Sequence, residues 1–278
     1  MAVVSVGILR ERGPLALVGS AWRYRQLILR LVIRDFEARF RGSLLGKLWV
    51  ALVPLLLLGL YTYVFGVVMQ AHWPGADGST LKVALLYYVG LVLFDFFFEC
   101  INRAPSLLLE NVSYIKKVVF PLDILAWVVI GNALVRLAFG GMILVVFYLA
   151  IEGVPPIAAL VLPLLVLLLA LVALGLVWFL SALGIYVRDI RQALIVIAPA
   201  TMFLSPIFFP LSTVPQPVAT LLYLNPLTFV IETARAALFS GAWPDLQAVL
   251  AYMLFACLFA WLGRVWFMSL RGGFADVV

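Results

Sequence analysis

Residues with catalytic or metal-binding chemistry are few in this sequence of 278 residues. The single histidine, His72, excludes a cluster of histidine ligands and a Ser-His-Asp triad within one chain. The string from Gly42 to Leu48 comes near a phosphate-binding P-loop, but three residues separate its glycines instead of four. It also has Leu48 where a P-loop has the Ser or Thr that binds Mg²⁺. We therefore expect no nucleotide site, no catalytic residue, no cofactor and no metal in this chain.

Three ionisable residues lie inside long apolar runs. Asp95 and Glu99 are four residues apart and share one face of a helix, and Arg136 lies in the next run. Ionisable groups inside a membrane are costly and usually line a bundle interior or a wet path. A proton relay and a structural polar contact both fit Asp95, and Arg136 is its expected neutralising partner.

The composition indicates where the chain resides. Hydrophobic residues make up 66% of it and charged residues 12%, whereas soluble domains average about 45–50% and about 25%. These values exclude an ordinary soluble enzyme, a disordered protein, a disulfide scaffold and, despite a pI near 9.5, most nucleic-acid-binding proteins. Because a membrane-spanning helix needs about 20 apolar residues, the chain has room for about six spans.

The apolar runs predict an all-α integral membrane protein, a six-span helical bundle with an N-terminal amphipathic interface helix. Residues 1–47 form a cytoplasmic N-terminal region and residues 48–278 the transmembrane domain. The expected spans one to six are Leu48–Met69, Leu81–Ile101, Leu122–Ile151, Ile157–Val187, Ala193–Pro210 and Leu246–Phe267. Between spans five and six, residues 211–245 contain four prolines and two apolar pieces too short to cross. This pattern predicts re-entrant or interfacial helices before the last span.

The basic residues predict the orientation. Sixteen of the 19 Lys and Arg residues fall on one predicted side of the membrane, and only Lys82 and Arg235 fall on the other. Because positive charge is enriched in cytoplasmic loops, both termini are expected to be cytoplasmic. No cleavable signal peptide is visible, since the first apolar stretch is short and lacks a basic region before it.

The segment before span one is amphipathic. Its polar side chains recur every three or four residues and so lie on one stripe of a helix: Arg23, Gln26, Arg30, Arg34, Glu37 and Arg41. The expected apolar side carries Trp22, Leu29, Val32, Phe36 and Phe40. Asp35 and Arg39 are spaced for an i,i+4 ion pair. Such a helix anchors to anionic lipid at the cytoplasmic interface, and it can also meet a protein partner or an anionic lipid-linked substrate.

Five strings, in this order along the chain, carry a resemblance. They are Arg34–Trp49 leading into Pro54, Glu110–Pro121, Tyr186–Ile190, Ser205–Pro210 and Leu224–Leu227. With them, residues 28–241 resemble the permease subunit of type-2 ATP-binding-cassette exporters for bacterial surface polysaccharides, the family that handles O-antigen, capsule and teichoic acid chains.

The resemblance implies partners and a place in the cell. Two permeases pair with two copies of a separate ATPase subunit, which binds ATP and Mg²⁺, in the bacterial inner membrane. The segment between spans two and three, residues 103–120, acts as the coupling helix that docks in the ATPase. Its polar residues are the expected docking surface: Arg103, Ser106, Glu110, Asn111, Tyr114, Lys116 and Lys117.

The resemblance also implies a polyprenyl-diphosphate-linked glycan as the substrate. Arginines suit its phosphates by bidentate contact, and the expected substrate entrance is Arg30, Arg34, Arg39 and Arg41. Sugar rings stack on aromatic faces, and the expected channel aromatics are Trp22, Trp49, Tyr61, Tyr63, Phe203, Phe208, Phe209 and Tyr223. Helix-breaking prolines place an outer gate at Ser205, Pro206, Pro210, Asn225 and Pro226.

Two alternatives remain open from the sequence. One is a permease for drugs or small lipids in the same superfamily, which also needs an ATPase. The other is an intramembrane enzyme or a proton-driven secondary transporter, against which the sparsity of intramembrane carboxylate pairs and the lack of His or Cys nucleophile sets weigh. The strings at Phe120-Pro121 and Arg188-Asp189 favour the glycan exporter through the resemblance alone.

Overall fold

The computed structural model describes residues 15–39, 41–42, 45–69, 73–74, 79–116 and 120–277. Within these ranges the regular structure is helical and contains no strand, which confirms the all-α prediction. We number the described α-helices in chain order: α1 (Leu15–Arg23), α2 (Arg25–Arg39), α3 (Trp49–Tyr61), α4 (Thr80–Arg103), α5 (Val112–Ile115), α6 (Ile124–Ile151), α7 (Leu162–Tyr186), α8 (Ile190–Phe203), α9 (Gln216–Leu222), α10 (Pro226–Arg235), α11 (Leu246–Leu270) and α12 (Phe274–Val277).

Four helices, α4, α6, α7 and α11, are long and apolar enough to cross a membrane. They contain 24, 28, 25 and 25 residues, and at about 1.5 Å per residue each exceeds the ~30 Å hydrocarbon core. Polar caps fix two of their starts, because Ser79 accepts the N–H of Lys82 at 3.4 Å and Asp245 accepts that of Ala248 at 3.0 Å. The four helices coincide with predicted spans two, three, four and six.

The segments predicted as spans one and five form shorter helices. α3 contains Pro54 and continues as a π-helix from Thr62 to Val68. α8 has 14 residues, about 21 Å at 1.5 Å per residue. The predicted end of span five at Pro210 is wrong, because residues 204–210 form turns. Pro206 has no N–H and disfavours helical backbone at Ser205, so the helix stops before this pair.

α7 and α11 pack at backbone distance. A Cβ atom added to Gly263 of α11 would lie 2.8 Å from the Cα of Gly175 in α7, so no larger residue fits there. One and two turns earlier on the same face of α11, Ala260 and Ala256 are fully buried. Small residues in such a row let two apolar helices approach closely, which is the usual way that helices associate inside a membrane.

Residues 211–245 contain two short helices, α9 and α10, and α10 continues as a π-helix from Ala236 to Ser240. Both begin with proline in the first turn, where its missing N–H costs nothing. The structure therefore has short helices before α11, as the sequence predicts.

Candidate functional site

Helix α2 lies against the start of α6 through a small apolar cluster. Leu31 and Val32 are buried there with Ile124 and Val128. Of the predicted apolar side of the amphipathic segment, Val32 is buried in this cluster, Phe36 is half-buried, and Trp22 and Leu29 are 68% and 60% exposed. Phe40 lies outside the described residues.

Polar contacts join α2 to the predicted coupling segment. The carboxylate of Asp35 accepts hydrogen bonds from Arg34 at 2.9 Å and from Arg103 at 2.8 Å. Arg34 also donates to the Tyr114 hydroxyl at 2.6 Å. The hydrogen bond with Asp35, followed by that with Tyr114, raises the pKa of the Arg34 guanidinium above its ordinary value. We name Arg34, Asp35, Arg103 and Tyr114 the α2 junction.

A second polar group holds the end of α2. The carboxylate of Glu99 accepts from Arg39 at 2.6 Å and pairs with Arg136 on its other oxygen. The expected pair of Asp35 with Arg39 is therefore wrong, because Arg39 reaches Glu99 on α4 and Asp35 pairs with Arg34 and Arg103. Arg136 forms its ion pair with Glu99, and its charge also acts on the Asp95 carboxylate, the partner that the sequence predicts. Two of the four predicted entrance arginines, Arg34 and Arg39, are in ion pairs. The other two, Arg30 and Arg41, are exposed and form no ion pair within the described part of the chain.

The predicted coupling residues divide into two sets. Ser106 donates to the Arg103 carbonyl at 3.3 Å, and the Asn111 side chain donates to the Leu107 carbonyl at 2.8 Å, so these groups brace the segment internally. Glu110 and Lys116 are exposed and available to a partner. The segment is a series of 3₁₀ turns ending in α5. Lys117 lies outside the described residues.

Three predicted channel aromatics meet in one cluster. Phe208 lies 5.8 Å from Tyr61 and 5.9 Å from Phe203, measured between ring centroids. Two rings that the sequence analysis did not select complete the cluster, Phe65 at 4.9 Å and Tyr87 at 6.1 Å from Phe208. The other predicted aromatics lie elsewhere: Trp22, Trp49, Tyr63 and Tyr223 are exposed, and Phe209 is half-buried.

The predicted outer-gate residues are brought together. The Asn225 side chain donates to Ser205 Oγ at 2.8 Å and accepts the N–H of Leu227 at 3.0 Å, capping α10. The Pro226 carbonyl accepts from the Tyr252 hydroxyl of α11 at 2.9 Å. Pro210 precedes a 3₁₀ turn with extended backbone. The turn after α8 is thus hydrogen-bonded to the start of α10.

Arg235 is the central residue of this region, and the sequence analysis missed it. Its buried guanidinium donates to the carbonyls of Leu86 at 2.9 Å and Ile207 at 2.7 Å and also to that of Pro206. Glu232 lies 3.2 Å away as its acidic partner. One side chain therefore ties α10 to α4 and to the turn after α8. The sequence does contain a signal for this role, because Arg235 is a charged residue within the apolar run Leu227–Phe239. The orientation argument counts it only as a charge in a loop.

The four long apolar helices are those of an all-helical protein able to span a membrane. The match of residues 26–239 to the family model described as "ABC-2 type transporter" identifies the family. The chain belongs to this family of transport permeases.

Curated relatives of the chain carry related names. It is 27% identical over 264 residues to "O-antigen export system permease protein RfbA" of Myxococcus xanthus, covering 94% of this chain and 99% of that protein. It is 23% identical over 219 residues to the protein of the same name from Klebsiella pneumoniae, covering 77% and 81%. It is 26% identical over 212 residues to "Polysialic acid transport protein KpsM" of Escherichia coli, covering 76% and 80%.

Proposed function

We propose that this chain is the transmembrane subunit of an ATP-driven exporter that moves lipid-linked surface polysaccharide across the bacterial inner membrane. The observation that carries the proposal is the match to an O-antigen export permease over 94% of this chain and 99% of the relative. The polysialic acid transport relative supports the same substrate class. The substrate is a glycan on a polyprenyl diphosphate, an O-antigen or capsule chain.

The proposed topology has six spans with both termini cytoplasmic. α3 with its π-helical continuation and α8 supply spans one and five, and α9 and α10 re-enter the membrane. Two ion-pair groups support this assignment. Lys82 pairs with Glu152 at 3.3 Å, where α4 begins and α6 ends. Arg103 pairs with Asp35 at the opposite end of α4, in the region that carries most basic residues.

The work of transport comes from a separate ATPase that binds ATP and Mg²⁺. Two permeases and two ATPase subunits form the transporter. The exposed residues Glu110 and Lys116 dock in the ATPase, together with Lys117, the next residue in the sequence. The internal hydrogen bonds of Ser106 and Asn111 let the coupling segment move as a unit, and the α2 junction passes that motion to the interface helix.

The substrate path begins at α2 and ends near α10. Arg30 and Arg41, exposed on the cytoplasmic side, receive the diphosphate, and Arg34 and Arg39 position the helix that carries them. The cluster of Tyr61, Phe203 and Phe208 forms the wall of the path near the end where α10 lies. The contact between Ser205 and Asn225, flanked by Pro206, Pro210 and Pro226, is the outer gate.

Deletion of the chain in its own host tests the proposed function. We expect the surface polysaccharide to disappear and lipid-linked glycan to accumulate in the cytoplasmic leaflet. Labelling of the glycan on intact cells measures the surface polysaccharide, and gels of the glycan extracted after cell lysis measure the lipid-linked material retained inside. Complementation by the wild-type chain, together with its ATPase, restores export. Normal surface glycan in the deletion strain, with a drug or small lipid retained instead, would contradict the proposal.

Charge reversal at Arg30 tests the entrance. Arg30→Glu is expected to lower export about tenfold or more, because one charge-assisted contact to a phosphate is lost and a repulsive charge is added. Glycan transport into vesicles is the measurement, and the amount of inserted permease is the control for folding. Arg30→Lys, which keeps the charge, is expected to retain most activity. Equal transport by the Glu variant would remove Arg30 from the entrance.

The α2 junction is tested by Asp35→Asn. The neutral side chain weakens the contacts to Arg34 and Arg103, so ATP hydrolysis continues while export falls about 2- to 30-fold, the range for a coupling change of ~0.5–2 kcal/mol. The ratio of glycan exported to ATP hydrolysed is the measurement. Asp276→Asn, at an exposed carboxylate near the C-terminus, is the matched control. An unchanged ratio in Asp35→Asn would show that the junction does not transmit the motion.

A further inference from the structure

A cavity of about 230 Å³ lies beside the end of α2, between α3, α4 and α6. It is several times the ~30 Å³ share of one water molecule and smaller than the ~300–1,000 Å³ of drug-sized pockets. Its size suits a small polar group rather than a glycan chain. Charged, aromatic and apolar side chains all line it: Phe36, Arg39, Trp49, Val53, Leu57, Tyr88, Asp95 and Arg136 among others.

The charges around the cavity balance. Arg39 and Arg136 share Glu99, and Asp95 lines the cavity without an ion pair or hydrogen bond to any residue that the structure describes. Two guanidiniums therefore face two carboxylates, of which one is already engaged. A dianionic ligand would leave a net charge of about −2 in a low-dielectric site, which is strongly unfavourable. A ligand that carries one positive and one negative group would leave the site neutral.

The cavity lies towards the end of α4 that carries Arg103. Asp95 is eight residues before Arg103, the last residue of α4, or about 12 Å along the helix at 1.5 Å per residue. With a ~30 Å hydrocarbon core, this places Asp95 within about 10 Å of the edge of the core, so a lipid headgroup that enters the cavity is drawn inward from the headgroup layer. The side chains of Arg39 and Arg136 are 38% and 43% exposed, so the cavity is open at the protein surface.

An apolar track leads out of the cavity. Val53 lines the cavity and is 39% exposed, and Leu56 and Leu60, one and two turns further along α3, are 58% and 53% exposed. Apolar side chains that are exposed along one face of a membrane helix are suited to contact acyl chains. A charged pocket that continues into such a track matches the two parts of a phospholipid.

We propose that this cavity binds the headgroup of a zwitterionic phospholipid with a primary amine, such as phosphatidylethanolamine. The phosphate lies against Arg39 and Arg136, which have donor groups left beyond their contacts with Glu99. The ammonium donates to Asp95 and lies near the ring of Trp49, where a cation is also favoured. The acyl chains follow Val53, Leu56 and Leu60. The cavity borders the proposed substrate entrance, since Arg39 belongs to both, but the binding of this lipid does not require that the exported substrate is a glycan.

Lipid retention by the full chain in nanodiscs tests the proposal. Three nanodisc preparations are compared, made with phosphatidylethanolamine, with its N-acetylated form, which lacks the positive charge, or with phosphatidylglycerol. Native mass spectrometry counts the lipid molecules that stay bound to the chain from each. We expect the wild-type chain to retain phosphatidylethanolamine about tenfold better than either, because a charge-assisted hydrogen bond to Asp95 is lost with the others. Equal retention of the three lipids would overturn the proposal without any variant.

Two substitutions separate the headgroup contacts. Asp95→Asn is expected to abolish the preference for the amine, whereas Asp189→Asn, at an exposed carboxylate outside the cavity, leaves it unchanged. Arg136→Gln is expected to lower retention of all three lipids because they share the phosphate. A preference that survives Asp95→Asn, or retention that survives Arg136→Gln, would show that the lipid binds elsewhere.

Discussion

Replacing Arg235 with leucine is expected to detach α10 from α4 and from the turn after α8. The carbonyls of Leu86, Pro206 and Ile207 lose their common donor, and Glu232 loses its partner. Removal of one member of a buried, hydrogen-bonded charge group costs about 3–5 kcal/mol, because the remaining groups stay buried without compensation. We expect a large fall in the apparent Tm, measured by fluorescence-detected size exclusion after heating, and little surface glycan.

Two variants give this prediction its controls. Arg235→Lys keeps the charge but cannot reach three carbonyls with a planar fork, so its stability is expected to lie between those of wild type and the leucine variant. Arg191→Leu removes an exposed arginine and is expected to leave the Tm within about 1 °C, as surface substitutions usually change stability by less than ~0.5 kcal/mol. A leucine variant at position 235 as stable as Arg191→Leu would show that the buried contacts contribute nothing.

The second large effect is expected at the buried pair of Asp123 and Arg264. Their side chains are both 6% exposed, with 3.2 Å between Arg264 Nη2 and Asp123 Oδ2, and they join the start of α6 to α11. The indole of Trp178 donates to the Asp123 carbonyl at 3.0 Å, which brings α7 into the same contact. Asp123→Leu and Arg264→Met are each expected to lower stability by about 3–5 kcal/mol, because each leaves the opposite charge buried.

The double variant distinguishes this explanation from simple loss of packing. With both charges gone, Asp123→Leu with Arg264→Met is expected to be more stable than either single variant, since apolar replacement of a buried pair is often neutral. The measurement is the apparent Tm of all four proteins as a double-mutant cycle. Losses that add in the double variant would mean that the two side chains stabilise the bundle independently.

Apolar length was sufficient to predict the four long helices. The run from Leu246 to Phe267 is apolar at every turn, and α11 covers it. The same reasoning failed at the end of span five, where composition continues to Pro210 but the prolines stop the helix at Phe203. Hydropathy measures the solvent that a segment prefers, whereas the end of a helix depends on backbone hydrogen bonds.

Pairing between distant residues could not be predicted from spacing. Asp35 was assigned to Arg39 because local pairs are the only ones visible in a single helix, and the actual partner Arg103 lies 68 positions away. Arg235 donates to the Leu86 carbonyl across 149 positions. The amphipathic pattern likewise describes α2 by itself. It cannot predict that α6 covers Leu31 and Val32 rather than Trp22, because that choice depends on how the two helices pack.

The close contact of Gly175 with Gly263 has a consequence for how the bundle moves. Helices that touch backbone to backbone, as α7 and α11 do where Gly175 meets Phe259 and Gly263, cannot slide without losing that fit, so we expect these two helices to move together. Proline interrupts the hydrogen-bond ladder of α3 at Pro54 and of α8 at Pro199. Bending is therefore expected in α3 and α8 rather than in α7 and α11.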